Sequence, residues 1–181
     1  MIHRIKASAF ALSQCMLFSL SGCGNAPTVA DYAKEQPTLH LQRYFNGPLT
    51  AHGLFTDRSG RVVKRFTVQM VGHWDGPQGV LEEDFVYSDG MRQRRVWRLT
   101  DLGQGRWRGQ ADDVLGEAVG ESAGNALNWH YTLKLPVDGQ VYEVQFNDWM
   151  YLMDEHTMLN KAVMSKFGVT LGEVTLSFHK P

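Results

Sequence analysis

Cysteine is almost absent. Only Cys15 and Cys23 occur among 181 residues, both within the first 23 positions. The rest of the chain has no thiol, which excludes a disulfide framework and any Cys-ligated metal there. An excess of positive charge is also missing: 18 Lys and Arg stand against 19 Asp and Glu, a formal net charge of −1 at pH 7. Nothing in that balance points to nucleic acid. No long apolar run is present either, since Ala7 to Leu20 is too short to span a membrane and stay. His40, His52, His73, His130, His156 and His179 are scattered without metal-ligand spacing, so no metal, haem or other cofactor is expected. What the chain does have is 43% hydrophobic content, enough for a single core.

That content is organised with a period of two. In Leu127 to Leu135, apolar Leu127, Trp129, Tyr131, Leu133 and Leu135 alternate with Asn128, His130, Thr132 and Lys134, the pattern of a half-buried strand. A two-residue Asp138-Gly139 turn then fixes the register with Val141 to Leu152. It sets Leu135 opposite Tyr142, Leu133 opposite Val144, Tyr131 opposite Phe146, Trp129 opposite Asp148 and Leu127 opposite Met150. One face of this hairpin is apolar except for Asp148, and a one-residue slip would scramble both faces.

Further candidate strands are Leu49–Thr56, Val62–Trp74, Val80–Tyr87, Met91–Thr100, Arg106–Ala111, Val114–Val119, Met158–Met164 and Glu173–Phe178, separated by turn-forming loops. A three-residue Ser88-Asp89-Gly90 loop pairs Phe85 with Gln93, Glu83 with Arg95 and Leu81 with Trp97, and sets Asp84 against Arg94 on the outer face. Arg92, Arg94 and Arg98 belong to that outer face. About ten consecutive strands joined by short turns predict an all-β, antiparallel up-and-down barrel, since closure removes the sheet edges. Thr28-Val29-Ala30-Asp31 reads as a capping box opening a helix of one or two turns that ends before Pro37.

The N-terminus carries an address. Cationic His3, Arg4 and Lys6, the apolar run to Leu20 and then Leu20-Ser21-Gly22-Cys23 resemble a bacterial lipoprotein signal ending in its lipobox. The resemblance implies removal of residues 1–22 and a lipid on Cys23, with 23–38 as linker and short helix and 39–181 as the barrel domain. Gly24, in place of Asp, implies the periplasm-facing side of the outer membrane.

Inside the expected barrel, Glu83, Arg95 and Asp148 fall among Trp97, Trp129, Tyr131 and Phe146. Buried charges are costly unless paired. One reading is structural: Glu83 neutralises Arg95, and Asp148 accepts the indole N–H of Trp129. The other makes these seven residues the lining of a ligand cavity, with Arg95 meeting a carboxylate or phosphate. Gly120-Glu121-Ser122-Ala123-Gly124 has the spacing of a nucleophile elbow, but a strand leaves it where that motif needs a helix. Gly116, Gly120 and Gly124 read as a Gly-rich strand or bulge. No nucleophile, base and orienter converge in the sequence, which places an enzyme third among the readings.

Gly72-His73-Trp74 and Gly105-Arg106-Trp107 are similar to the lipocalin Gly-x-Trp signature. A longer set comprises Tyr44-Phe45-Asn46-Gly47, Gly105-Arg106-Trp107-Arg108-Gly109, Gly124-Asn125-Ala126-Leu127-Asn128-Trp129, Asp148-Trp149-Met150-Tyr151-Leu152-Met153 and Met164-Ser165-Lys166-Phe167-Gly168. It resembles the proteobacterial lipoprotein family labelled domain of unknown function 3833, from about Leu39 to Lys180. That resemblance implies a calycin-like barrel near membrane lipid and brings no catalytic residues. The expectations are therefore, first, an outer-membrane lipoprotein binding a fatty acid, phospholipid or other apolar ligand. The second is a structural or interaction protein with a filled barrel, presenting Trp149 and Tyr151 to a partner.

Overall fold

The computed structural model describes residues 26–137 and 139–181. The expected signal segment, Cys23 and Asp138 lie outside the described residues. Ten strands follow one another: β1 Gly47–Asp57, β2 Val62–Asp75, β3 Gln78–Tyr87, β4 Arg92–Gly103, β5 Arg106–Gln110, β6 Ala118–Ala123, β7 Ala126–Val137, β8 Gln140–Leu152, β9 Thr157–Lys166 and β10 Val169–His179. Each pairs antiparallel with the next. β1 then pairs with β10, Ala51 opposite Phe178 and Gly53 opposite Leu176, so the sheet closes into an up-and-down barrel. Closure joins the two outer strands of the sheet, while the short β5 leaves the mouth-side half of β4, Arg92–Trp97, paired with β3 alone.

The β7–β8 register is the one the alternation requires: Leu135 faces Tyr142, Leu133 faces Val144, Tyr131 faces Phe146, Trp129 faces Asp148 and Leu127 faces Met150. The β3–β4 hairpin likewise pairs Phe85 with Gln93, Glu83 with Arg95 and Leu81 with Trp97. Its three-residue loop has Gly90 at φ +84°, a conformation that costs glycine nothing.

Elsewhere the boundaries differ. The strand expected at Val114–Val119 is shifted along the chain: β6 runs from Ala118 to Ala123, and Val114 makes only one isolated bridge, to Leu133. The inward residues of β6 are the small Ala118 and Gly120, so the chain there has no apolar alternation to read. The reason lies across the barrel wall. A methyl group on Gly120 would sit 2.0 Å from the Trp129 ring, and that indole fills the space a side chain would need. The final hairpin is longer than expected, with Lys166 opposite Val169 across a Phe167-Gly168 turn.

Helix is minimal. Where a helix of one or two turns is expected, Val29–Tyr32 forms one 3-10 turn opened by the capping box, with the Thr28 amide donating to the Asp31 carboxylate at 2.8 Å. A single turn at Leu41–Tyr44, α1, closes one end of the barrel. Leu39, Leu41, Tyr44 and Phe45 are all buried there. The Trp74 indole N–H donates to Phe45 O at 3.2 Å, and the Tyr44 hydroxyl donates to His156 O at 3.1 Å. Gly72 permits this seal, because a methyl on it would lie 1.6 Å from the Phe45 carbonyl oxygen. The barrel therefore has a floor at the α1 end.

Candidate functional site: an apolar cavity with a buried charged cluster

Above that floor the interior is open. A cavity of about 910 Å³ runs from Leu41 and Phe45 to the hairpin tips at the opposite end, where Lys64, Met91, Val137 and Val141 border it. Its walls follow from strand alternation, which sends Val68, Met70, Leu81, Phe85, Leu99 and Leu133 inward. An aromatic wall crosses the middle. Trp97 meets Trp129 edge-on at 6.0 Å and Tyr131 at 5.5 Å, and Tyr131 stacks on Phe146 at 4.9 Å.

Glu83, Arg95, Trp97, Trp129, Tyr131, Phe146 and Asp148 all line this one cavity. The partners of the charged groups differ from expectation. Arg95 keeps an ion pair with Glu83 at 3.8 Å, but its shorter bonds go to Asp113, 2.7 Å from Nη2 and 3.0 Å from Nε. Asp113 lies on the β5–β6 connection, which nothing in the sequence period places near β4. Asp148 does not take the indole of Trp129. Its oxygens accept the Tyr131 hydroxyl at 3.4 Å and the Asn160 side-chain amide, which also donates to Trp149 O. Asn160 was legible in principle, being the polar member of the inward series Met158, Asn160, Ala162 and Met164 on β9.

One guanidinium thus stands among three carboxyl groups. Burial pushes the Glu83 carboxyl up to about 7, with Arg95 opposing the shift and Asp113 adding to it. Burial also raises Asp148 to about 7, against the hydrogen bonds from Asn160 and Tyr131. The Tyr131 hydroxyl is raised by burial and by Asp148, so it stays protonated and donates. Burial works against the charge on Arg95, but Glu83 and Asp113 more than offset it and hold the guanidinium ionised. Glu83 Oε2, which faces Arg95 Nη1 at 3.8 Å, and Asn160 Oδ1 are buried with no partner within hydrogen-bond distance. Both orphaned atoms are acceptors.

The other sequence features make packing and hydrogen-bond contacts outside this cluster. Ser122 Oγ accepts the Trp107 indole N–H at 2.9 Å at the end of β6, with a β-strand on either side of its turn. Trp149 and Tyr151 stack on each other outside the barrel and are capped by Tyr32, at 5.7 and 5.2 Å. That pair serves to dock the N-terminal turn and is not the open aromatic surface expected for a partner. Among the described residues, no three His, Cys, Asp or Glu side chains gather in a metal-ligating group.

Fold and cavity together define a lipocalin-like, calycin-type barrel of ten strands. The chain belongs to the family described as Protein of unknown function (DUF3833), which it matches over residues 17–180. Among solved structures it is similar to the S-type phycobiliprotein lyase CPES from Guillardia theta, with 4% identity, 86% of this chain and 98% of that chain covered, and a TM-score of 0.59. It is also similar to Rv2717c from M. tuberculosis, with 13% identity, 81% and 99% covered, and a TM-score of 0.58. No curated protein matches the sequence.

Proposed function

We propose that the protein binds a small apolar molecule in its barrel and is held on the periplasmic face of the outer membrane by a lipid on Cys23. The observation that carries the binding reading is the open interior. At about 910 Å³ the cavity lies within the range of small-molecule sites and has apolar walls with a few convergent polar groups. A structural barrel would have that space filled by side chains.

The polar cluster refines the ligand. Arg95 is already bonded by Asp113, so a fatty-acid carboxylate buried at this cluster finds its guanidinium occupied. The unpartnered atoms of Glu83 and Asn160 call for donors. The preferred ligand is therefore an apolar molecule whose polar part carries O–H or N–H, such as a glyceride, a long-chain alcohol or an amine.

The test is native mass spectrometry with solvent extraction on protein purified from bacterial periplasm, followed by displacement of a fluorescent lipid by long-chain alcohol, amine and acid in turn. Stoichiometric ligand and tighter binding of alcohol or amine than of acid at pH 7.5 are expected. Protein that comes out empty and refuses the whole panel would refute the binding reading.

A further inference from the structure

The mouth of the barrel has an unusual rim. The β1–β2, β3–β4, β7–β8 and β9–β10 tips expose Val62, Val63, Met91, Val141, Phe167 and Val169 to solvent. Phe167 is the extreme case, 91% exposed at the end of its hairpin. Its backbone sits at φ +52°, in the left-handed region. Bulky side chains rarely adopt that conformation and an Asn or Gly would sit there without strain. Folding therefore gains nothing from Phe at this position, and residues kept against local preference point to a use.

Charge accompanies the apolar rim. The neighbouring β9–β10, β1–β2 and β3–β4 tips carry Arg58, Arg61, Lys64, Arg92 and Lys166 against Asp57 and Asp89, five cations to two anions. Asp57 is paired with Arg61 at 3.3 Å and Asp89 with Lys64 at 3.0 Å, which leaves Arg58, Arg92 and Lys166 without an ion pair among the described residues. The Lys166 ammonium lies 4.4 Å from the Tyr142 ring and 5.3 Å from the Phe167 ring. The acidic connection with Asp112, Asp113 and Glu117 lies across the mouth, between β5 and β6.

We infer that this arc is a docking surface for an anionic lipid bilayer, with Phe167 and its apolar neighbours entering the headgroup layer and the free cations meeting lipid phosphates. Apolar tips interleaved with Lys and Arg are what an interfacial site requires. Docking here turns the cavity mouth towards lipid, although the rim stands as an observation whether or not the cavity holds a ligand. The N-terminal segment leaves from the opposite end, where Leu39 N donates to Gly124 O on the β6–β7 loop. If Cys23 is lipidated as proposed above, the five residues from there to Thr28 reach at most about 18 Å. Eleven-residue strands tilted as in a small barrel extend roughly 28 Å. An anchored copy would then offer its mouth to a second lipid surface.

The experiment is photolabelling of the full chain by a lipid-dissolved diazirine in vesicles of phosphatidylcholine with or without phosphatidylglycerol, read by peptide mass spectrometry. Label at Val62–Lys64, Met91 and Phe167 is expected with the anionic lipid, weakening in high salt. Label confined to the first 25 residues, or equally strong at the outer-wall residues Val71 and Val119, would overturn the proposal. Phe167→Asn suits the turn and should fold at least as stably, yet lose about tenfold in partitioning. Lys166→Ala should lose about fivefold. Wild-type partitioning in both variants, or binding only to vesicles that contain a second protein, would reject a bilayer as the occupant. Vesicles carrying the lipidated chain should cluster anionic acceptor vesicles, and absence of clustering would remove the two-surface arrangement.

Discussion

Stability should fall as pH rises through neutrality, and Glu83 should be responsible for a large part of the slope. Its carboxyl moves from an ordinary value of 4.5 to about 7 on folding, and that of Asp148 from 3.8 to about 7. Between these values the folded protein holds protons that the unfolded chain has released. The stability these two groups contribute is then fully present below their unfolded pKa values and is lost as pH climbs through about 7. At 1.36 kcal/mol per unit, the full effect is roughly 3 kcal/mol for Glu83 and roughly 4 kcal/mol for Asp148. Urea unfolding of wild type and Glu83→Gln at pH 5, 6, 7 and 8, with the denaturant slope checked for constancy, measures it. The wild type should lose several kcal/mol across the series. Glu83→Gln should lose roughly 3 kcal/mol less, because its amide cannot ionise. A wild-type stability that stays flat or rises from pH 5 to 8, or a variant with an unchanged slope, would refute the buried-carboxyl account.

Arg95→Met should destabilise the protein by about 3 kcal/mol at pH 8, where Glu83 and Asp113 are left without their cation, and by much less at pH 5, where Glu83 takes a proton. Thermal unfolding at the two pH values checks it. Asp113→Asn should release the guanidinium and raise affinity for a fatty-acid anion about tenfold, read by displacement of a fluorescent lipid. Gly72→Ala should cost about 3 kcal/mol or more, because its methyl meets the Phe45 backbone and not a movable side-chain end; chemical denaturation would show the loss. Met164→Trp should fill part of the cavity and abolish ligand uptake while leaving the strand pattern by circular dichroism unchanged.

Which parts were legible follows from the range of each interaction. Strand alternation and turn chemistry are local, so the β7–β8 register and the β3–β4 hairpin follow from residues within about twenty positions of one another. A run of such hairpins has few ways to hide its edges, and closure into an all-β barrel follows from that. The inward placement of Glu83, Arg95 and Asp148 is a matter of parity along a strand, and parity was enough to put them with Trp97, Trp129, Tyr131 and Phe146.

Tertiary structure decided what parity cannot reach. The bounds of β6 shift from the expected Val114–Val119 to Ala118–Ala123 because Gly120 is small on account of Trp129, a residue on the next strand. The partner of Arg95 is Asp113, on a connection whose path depends on barrel closure, and Asp148 turned to Asn160 and Tyr131 because they lie on its two neighbouring strands. Trp149 and Tyr151 alternate like a free outer face, but Tyr32 returns to cover them. Whether a cavity exists at all depended on the balance between the volume enclosed by ten closed strands and the size of the side chains sent inward. That balance belongs to the assembled barrel and to no single segment of the chain.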